Sequence, residues 1–373
     1  MERIAVIMGK MHSGGKKSLV MEYYRNIDKS KIQFDFICDS DSNSIPKEEI
    51  EELGGRVYLI PPYIKIFSNM RALKKICKEN KYKIMHSYNG TMNIFSMFIG
   101  WCCRIPIRIN ESISMGHKSD KKNILKMILK PFSKCFSTHY MSNGIECGKW
   151  QFGTKTYEAG KVTIFKSVID TEVNKYNPEL RYRTRKEYEI DDSIVLGHIG
   201  RLTEQKNTLF LIDIFNEVLK LERRAKLLII GDGNLKDKML EKIDLYGIAE
   251  NIIYLGRRED IPQFYNAMDA FILPSLYEGV PVVGIEAENC GLPIFFSTEV
   301  ARESSPCKEL GFFIELDKGP EYWANQIIDI TNKNIKNRYG REKIITKCGF
   351  NSKEEGKKLL DYYNSLLSQI GNK

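Results

Sequence analysis

Short, nearly continuous apolar runs alternate with longer amphipathic segments along almost the whole chain. Runs such as RIAVIM (3–8) and AKLLIIGDG (225–233) lack in-and-out alternation, which is typical of parallel strands covered by helices on both faces. Between the runs, segments such as FLIDIFNEVLKLERR (210–224) have helical periodicity. The alternation predicts a doubly wound α/β fold.

The apolar runs form two series, separated near the polar, extended stretch VIDTEVNKYNPE (168–179). The predicted strands cover residues 3–8, 34–38, 56–60, 83–87, 107–109, 138–141 and 161–165 in the first series, and 193–200, 225–233, 251–256, 270–274, 293–297 and 311–316 in the second. A chain of 373 residues is comfortable for two domains. We therefore predict two Rossmann-like domains, residues 1–170 and 171–351. The amphipathic segment 352–370 could pack back on either.

Composition indicates a soluble globular protein, with 42% hydrophobic and 28% charged residues. The opening run IAVIM is too brief for a signal-peptide core, and the most apolar later run, residues 94–103, is about half of the roughly 20 residues that a membrane span needs. We predict a cytoplasmic location. The nine cysteines have no metal-ligand or disulfide spacing, so we interpret them as reduced thiols.

The positive charge lies in the first half of the chain. Residues 1–172 hold 28 Lys and Arg against 17 Asp and Glu, a net charge of +11, and the remainder holds 29 against 31, a net charge of −2. Such asymmetry indicates that one half faces an anionic partner. We find no recognition motif or aromatic interleaving typical of nucleic-acid binding, so nucleic acid is not predicted.

The segment GRLTEQKN (200–207) follows the first predicted strand of the second series. Ligands of open parallel sheets bind at the carboxyl ends of strands. Arg201 and Lys206, at a strand exit and a helix start, suit a diphosphate, because both offer cationic donors and the helix start adds free amides. A solvated basic turn is the alternative.

The segment YEGVPVVGIEAENCGLP (277–293) carries two carboxylates, Glu278 in a loop and Glu286 on the following helix, whose first turn suits Pro281. Both acids could accept hydrogen bonds from sugar hydroxyls. The alternative for Glu278 is a simple preference for a helix N-terminus. The turn IIGDG (229–233) is weak evidence alone, since tight strand-to-helix turns commonly use Gly-Asp-Gly.

These motifs resemble the retaining glycosyltransferases of family 4, which have the GT-B fold. The resemblance is carried by GRLTEQKN, IIGDG, YLGRREDIPQFYNAMDAFILPSLYEG and the Glu278–Glu286 pair, and it covers essentially the whole chain. Enzymes of capsular or exopolysaccharide synthesis are the most similar in pattern. The resemblance implies an acceptor domain followed by a donor domain, facing each other across a cleft that closes over the donor.

The resemblance also implies residue roles. Arg201 and Lys206 would neutralise the departing nucleotide diphosphate, with Glu278 holding the donor sugar near C1 and Glu286 the ribose. The other implied donor-binding residues are Gly14, Gly15, Gly233, Arg257, Gly279 and Val280. No metal or other cofactor is implied, because cations and helix amides serve the leaving group. The Asp39-Ser40-Asp41 sequence is interpreted as a metal-site lookalike.

The family usually has a histidine near the reacting sugar, but this chain reads NESISMGHKSD (110–120) there. Glu111 and Ile113 stand about where histidines are expected, and His117 lies several residues later. Glu111 or His117 could serve the acceptor or sugar side. The departure leaves open a second hypothesis, that the chain is a catalytically silent scaffold that binds nucleotide sugar or partners an active transferase.

The segment HKSDKKNILKMILKPFSK (117–134) spaces lysines four residues apart beside an apolar face. The lysines in question are Lys118, Lys122, Lys126 and Lys130, and Pro131 limits the helix. This pattern is typical of helices that lie on an anionic membrane, and a core-packing helix with a solvated lysine face is the alternative. We therefore expect a peripheral enzyme at the inner face of the cell membrane, which transfers a sugar from a nucleotide sugar, a UDP-sugar in our interpretation, to a lipid-linked oligosaccharide.

Overall fold

The computed structural model describes residues 1–12, 14–115, 123–334 and 337–371. The chain divides into two compact units, Met1–Val168 with Asn351–Lys373, and Ile169–Phe350. The division lies two residues before the predicted boundary, and the C-terminal helix belongs to the first unit.

The described part of the first unit contains one parallel sheet of seven strands in the order β3-β2-β1-β4-β5-β6-β7. Its strands are β1 (Glu2–Gly9), β2 (Ile32–Asp39), β3 (Arg56–Ile60), β4 (Ile84–Ser87), β5 (Ile107–Ser112), β6 (His139–Ser142) and β7 (Val162–Ile164). Its helices are α1 (Gly15–Asn26), α2 (Lys47–Glu52), α3 (Ile66–Asn80), α4 (Asn93–Cys102), α5 (Asn123–Leu129), α6 (Ile145–Phe152) and α7 (Thr154–Glu158).

The second unit repeats this architecture with six described strands in the order β10-β9-β8-β11-β12-β13. Its strands are β8 (Val195–Ile199), β9 (Lys226–Ile230), β10 (Ile252–Tyr254), β11 (Ala270–Leu273), β12 (Ile294–Ser297) and β13 (Gly311–Ile314). Its helices are α8 (Pro178–Glu187), α9 (Thr208–Leu221), α10 (Lys236–Tyr246), α11 (Ile261–Ala267), α12 (Val282–Asn289), α13 (Gly319–Asn334) and α14 (Arg341–Lys347).

All thirteen predicted strands are present, and both sheets are parallel. The predicted doubly wound α/β architecture is therefore confirmed in each unit. The largest difference in strand length is at 231–233, which the sequence assigned to a strand. Gly231 has a φ of 142° there, a conformation that glycine adopts readily, so the chain turns and β9 ends at Ile230.

The last helix, α15 (Ser352–Gly371), packs against α1 through an apolar stripe. Leu359, Tyr363 and Leu366 are buried on this stripe. The Tyr363 hydroxyl also lies 2.7 Å from Nδ1 of His86 on β4. The C-terminal segment is thus an integral part of the first unit's core.

Each sheet has one point at which the direction of winding reverses. In the first sheet it lies between β1 and β4, and in the second between β8 and β11. Ligands of doubly wound folds bind at such switch points, beyond the carboxyl ends of the strands. The topology therefore directs attention to the loops after these four strands.

Candidate functional site

The carboxyl edge of the second sheet gathers most of the predicted donor-site residues. Arg257 follows β10, Gly233 follows β9, and Arg201 and Lys206 follow β8. Glu278 follows β11, the neighbour of β8 across the switch point. Because these strands are adjacent and parallel, their loops form one continuous row.

Lys206 and Glu278 form an ion pair across the switch point. The Lys206 Nζ lies 2.8 Å from Oε1 of Glu278, and the two side chains are only 12% and 13% exposed. Nε2 of Gln205 donates to the same oxygen at 3.3 Å and to the backbone carbonyl of Tyr277 at 3.2 Å. The Gln205 carbonyl accepts from the amide of Leu276 at 2.8 Å. These contacts hold the two loops together.

The turn after β9 packs directly on the turn after β8. A Cβ at Gly233 would lie 2.2 Å from the carbonyl oxygen of Leu202, and one at Gly231 would lie 1.8 Å from that of Gly200. Both distances are far below contact distance. Gly233, which we predicted to bind the donor, is therefore required for the packing of these turns, whatever else it contacts.

Arg201 and Arg257 are cations at the exposed part of the row. Nη2 of Arg201 lies 3.5 Å from Oε1 of Gln205, a long and weak contact. Nε of Arg257 lies 3.5 Å from Oδ2 of Asp232, and the Arg257 side chain is 64% exposed. Both guanidinium groups retain donors that could meet an anionic ligand.

Helix α12 begins one residue later than predicted, with Pro281 at its N-cap. Glu286 lies on the helix, and its Oε2 accepts a hydrogen bond of 2.7 Å from the hydroxyl of Tyr265. Burial is the main reason that the pKa of Tyr265 is raised well above its usual value, so this hydroxyl remains a donor. Glu286 is therefore oriented by a buried neighbour.

Gly279 and Val280 connect the Glu278 loop to α12. The carbonyl oxygen of Gly279 accepts from the hydroxyl of Ser304 at 3.0 Å. The Val280 side chain is buried in a small apolar cluster with Ile285 and Leu310. Any ligand contact of Val280 would thus come from its backbone.

Glu288, the third carboxylate of this stretch, faces the interior of the unit. Its Oε2 accepts from the backbone amide of Cys307 at 2.8 Å, and Oε1 accepts from the Ser305 hydroxyl. Burial raises the pKa of Glu288 to about 8. This group braces α12 against the 305–307 loop and is not directed at the proposed ligand.

His198, on β8, lies beneath the Lys206 loop. Its Nδ1 donates to the carbonyl oxygen of Ile272 at 2.9 Å. Burial, with a smaller contribution from the nearby Lys206 cation, lowers the pKa of His198 to about 4. The imidazole is consequently neutral near pH 7, and Lys206 does not meet a second positive charge from below.

In the first unit, the predicted glycine loop lies at the switch point between β1 and β4. A Cβ on Gly14 or Gly15 would meet no atom of the described residues within 4 Å, although the φ of 140° at Gly14 itself favours glycine. The neighbouring Lys16 Nζ donates to Asn89 Oδ1 at 3.1 Å and to the carbonyl oxygen of Met8. The open space is compatible with the predicted approach of a ligand to this backbone.

Glu111 lies at the carboxyl end of β5 with its side chain turned inward. Its Oε2 is 2.8 Å from Nε2 of His86, and the two side chains are 3% and 0% exposed. The hydroxyls of Tyr88 and Tyr363 lie 3.2 and 2.7 Å from Nδ1 of the same imidazole. Glu111 therefore belongs to a buried polar network and does not face solvent.

The predicted lysine stripe is only partly within the described residues. His117, Lys118 and Lys122 lie outside them. Helix α5 ends at Leu129, before Lys130. Pro131 lies in a separate 3₁₀ turn, so the helix ends before it, as the sequence indicated. Lys130 packs over the ring of Trp150 at 4.9 Å.

Lys126 lies on α5 between apolar residues that are exposed. The side chains concerned are Ile124, Leu125, Met127 and Ile128, each between 48% and 68% exposed. Over residues 124–128, the apolar side chains therefore do not pack into a core, contrary to the alternative of a core-packing helix. No helix in the described residues is long and apolar enough to span a bilayer.

Among the described residues, no group of three or more His, Cys, Asp or Glu side chains is arranged to hold a metal ion. In the Asp-x-Asp lookalike, Asp39 accepts from the amide of Tyr63 and from Asn69, both at 3.1 Å. Asp41 pairs with Lys10 at 2.6 Å. Both carboxylates therefore have protein partners.

Sequence reasoning missed the residues that orient the site. Gln205 was inside a recognised motif, so its position before Lys206 was a usable signal. Asp232 and Tyr265 also lay inside quoted motifs, but nothing local indicated their partners Arg257 and Glu286. His86 lay outside these motifs, and its partner Glu111 is on another strand.

Comparisons with known proteins agree with this architecture. Residues 193–333 match the family model described as Glycosyl transferases group 1. The putative glycosyltransferase EpsF of Bacillus subtilis (strain 168) is 26% identical over 97% of this chain and 96% of its own length. An Escherichia coli protein named UDP-Gal:alpha-D-GlcNAc-diphosphoundecaprenol alpha-1,3-galactosyltransferase is 24% identical over 95% of this chain and 94% of its own.

Among solved structures, that of Anabaena Alr3699/HepE in complex with UDP aligns with a TM-score of 0.78. The alignment covers 98% of this chain and all of that one, at 17% identity. The predicted GT-B fold, with two Rossmann-like domains, is confirmed. Together these similarities support a glycosyltransferase with the GT-B fold.

Proposed function

We propose that this chain is a retaining glycosyltransferase of family 4 that transfers a sugar from a UDP-sugar to a lipid-linked saccharide acceptor during the synthesis of a surface polysaccharide. The transferred sugar is a hexose or an N-acetylhexosamine. The EpsF relative and the E. coli galactosyltransferase support this proposal by their similarity over nearly the whole chain.

The observation that carries the proposal is the Lys206–Glu278 pair at the switch point of the second sheet. Nucleotide ligands of doubly wound folds bind at this position. The pair supplies a cation for a diphosphate and a carboxylate for sugar hydroxyls, 2.8 Å apart. A nucleotide sugar presents these two groups next to each other.

In this proposal, each residue of the row acts on one part of the donor. Lys206 and Arg201 neutralise the charge that develops on the diphosphate as it leaves. Glu278 offers Oε2 to sugar hydroxyls, because Oε1 is occupied by Lys206 and Gln205. Glu286, oriented by its hydrogen bond from Tyr265, accepts from the ribose hydroxyls.

The remaining predicted contacts complete the donor site. Arg257 lies beside the base. Backbone at Gly233, Gly279 and Val280 contacts the nucleotide sugar, and the contacts of Gly14 and Gly15 with the diphosphate stay predictions.

The transfer breaks the bond between C1 of the sugar and the diphosphate oxygen, and forms a bond between C1 and the acceptor oxygen on the same face. The departing diphosphate takes the proton of the acceptor hydroxyl, so no enzyme nucleophile is required. Lys206 and Arg201 serve as the positive charges in this step, and the proposal requires no metal ion.

We further propose that the protein works in the cytoplasm at the inner face of the membrane, where a lipid-linked acceptor would lie. The exposed apolar side chains of α5 support this location. The net charge of +11 over residues 1–172 supports attraction to anionic lipid. Lys118, Lys122, Lys126 and Lys130 are the proposed lipid-facing cations, and nucleic acid is not a proposed partner.

The test is nucleotide release from a panel of UDP-, GDP- and ADP-sugars, with and without a polyprenyl-diphosphate-linked acceptor. Release from one donor should depend on acceptor and be lost in Arg201→Ala and Glu286→Ala. Arg224→Ala is a matched control, because this exposed arginine precedes β9 at the opposite edge of the same sheet. Failure to bind any nucleotide sugar would overturn the proposal.

The second candidate is a silent scaffold that binds nucleotide sugar or partners an active transferase. The inward orientation of Glu111 favours it, because the residue at the expected histidine position is 3% exposed and engaged by His86. His117, the other acceptor-side candidate, stays a prediction. The scaffold would be favoured if the protein binds a nucleotide sugar, releases no nucleotide with any acceptor, and binds the donor equally well when Glu111 is substituted.

A further inference from the structure

A second exposed apolar feature lies in the first unit, at the connection from β3 to α3. We call Tyr63, Ile64 and Phe67 the apolar tip. Ile64 is 80% exposed and Phe67 is 86% exposed. Large apolar side chains this exposed, close together in sequence and space, commonly mark an interaction surface.

The apolar tip is held rigidly. Oδ2 of Asp39, at the end of β2, accepts from the amide of Tyr63 at 3.1 Å. Nδ2 of Asn69 donates to Oδ1 of Asp39 at 3.1 Å and to the carbonyl oxygen of Pro61 at 2.6 Å. These hydrogen bonds fix the backbone before Ile64 and after Phe67, so the turn that presents the two side chains to solvent is already formed.

A basic stripe continues from the tip along the exposed face of α3. Arg71, Lys74 and Lys78 are exposed and follow Phe67 at intervals of four, seven and eleven residues. This spacing keeps them on one face of a helix. Lys75 is also exposed and is paired at 3.9 Å with Glu79, the single acid of this helix. The exposed face of α3 is therefore strongly cationic, and the apolar tip lies at its N-terminal end.

The fold brings this feature to the same side of the sheet as α5. The connections from β3 to β4 and from β5 to β6 run in the same direction through the strand order. Right-handed crossovers therefore put α3 and α5 on the same face of the sheet. Both connections also leave from the carboxyl edge of the sheet, and the apolar tip lies directly after β3 at this edge.

We infer that the apolar tip and the basic stripe form a second membrane-docking element, which inserts Ile64 and Phe67 into the interface of an anionic bilayer. The inference rests on the proposed membrane association and adds a contact that fixes the orientation of the first unit. Apolar insertion combined with cations near anionic headgroups is the arrangement by which peripheral proteins bind lipid. A bilayer suits this surface better than a protein groove because the charges extend in a single-sign stripe.

Vesicle binding of the full chain tests this inference. Cosedimentation is compared on vesicles of phosphatidylcholine alone and of phosphatidylcholine and phosphatidylglycerol in equal parts. Ile64→Ser/Phe67→Ser should weaken binding to the anionic vesicles by about tenfold or more, since two large apolar side chains no longer enter the interface. Arg71→Glu/Lys78→Glu should reduce the difference between the two compositions. Leu245→Ser, a 79% exposed leucine of the second unit, should behave like the unsubstituted protein.

A spectroscopic measurement distinguishes insertion from an indirect effect. Phe67→Trp, in a background that carries Trp101→Phe, Trp150→Phe and Trp323→Phe, should shift its emission to the blue on anionic vesicles. Brominated acyl chains should quench it. Leu245→Trp in the same background should show neither change.

Two results would overturn the inference while leaving membrane association intact: unshifted Phe67→Trp emission on vesicles that bind the protein, or unchanged binding of Ile64→Ser/Phe67→Ser. Loss of a dimer in that double variant, with vesicle binding unaffected, would assign the tip to self-association. If the unsubstituted protein ignores anionic vesicles, the membrane association itself fails, and the nucleotide-release assay still decides the transferase.

Discussion

Removing the charge of Lys206 should lower the free energy of unfolding of the second unit. If the charge of Glu278 is removed in the same protein, part of this loss should be recovered. The perturbations are Lys206→Met, Glu278→Gln and the double substitution, each of which keeps side-chain volume nearly constant. Glu278 is 13% exposed in the unsubstituted protein, and in Lys206→Met its carboxylate would keep Gln205 as its side-chain donor among the described residues.

The magnitude follows from the geometry of the pair. Two unit charges about 4 Å apart attract by roughly 4 kcal/mol at an effective dielectric constant near 20. Desolvation consumes part of this energy, and breaking a fully buried pair costs about 3–5 kcal/mol, whereas exposed pairs contribute about 0–1 kcal/mol. The Lys206 and Glu278 side chains are 12% and 13% exposed, between these two cases. We therefore expect Lys206→Met to cost about 2 kcal/mol, and the coupling energy between Lys206→Met and Glu278→Gln to be at least about 1 kcal/mol.

The assay is urea unfolding of the four proteins, followed by the fluorescence of Trp323. Trp323 is fully buried in the second unit, so Trp101→Phe/Trp150→Phe makes the signal specific to that unit. Lys220→Met is the control, because its pair with Glu217 is on the surface, with 63% of the lysine exposed. A coupling below about 0.3 kcal/mol, the usual limit of additivity, would refute the reasoning that this pair is held in a desolvated site.

Three further predictions concern packing, pH and the C-terminal helix. Gly233→Ala should unfold the second unit or cost several kcal/mol of stability, because its Cβ would lie 2.2 Å from a carbonyl oxygen. Gly247→Ala should cost only about 1 kcal/mol, because at this position, with a φ of 63°, a Cβ meets no atom of the described residues within 4 Å. Thermal unfolding of the two variants measures the difference. Burial raises the pKa of Glu288 to about 8, so its neutral form is favoured in the folded state. The free energy of unfolding should therefore fall by up to about 4 kcal/mol as pH rises from about 5 to about 8. In urea titrations, Glu288→Gln should abolish this contribution to the pH dependence of stability. Tyr363→Phe removes the hydroxyl that lies 2.7 Å from His86 and should cost about 1–2 kcal/mol; equal unfolding midpoints would contradict this contribution.

Much of the fold could be predicted because parallel strands covered on both faces leave a local signature. Runs such as 193–200 and 270–274 are apolar without alternation, and each contains a strand of the structure. Strand ends were less predictable. The turn at 231–233, which ends β9, packs against the carbonyl oxygens of Gly200 and Leu202, which lie about thirty residues away in sequence.

The candidate site was predictable as a set of loops and not as a set of contacts. Arg201, Lys206 and Glu278 were found because their motifs follow strands. The inward turn of Glu111 could not be predicted, since its partner His86 lies on another strand. The exposure of the apolar face of α5 could not be predicted either, because sequence periodicity indicates which residues share a face but not whether another element covers it.

The most direct test of the central claim is calorimetric titration of UDP into the unsubstituted protein, Lys206→Met and Arg224→Ala. A nucleotide site at the second unit's switch point predicts saturable one-to-one binding. Lys206→Met should bind about ten- to a hundredfold more weakly, as expected for loss of one charge-assisted contact. Arg224→Ala should bind as the unsubstituted protein does. Binding that is equally strong in Lys206→Met, or no binding of UDP by the unsubstituted protein, would contradict the proposed donor site.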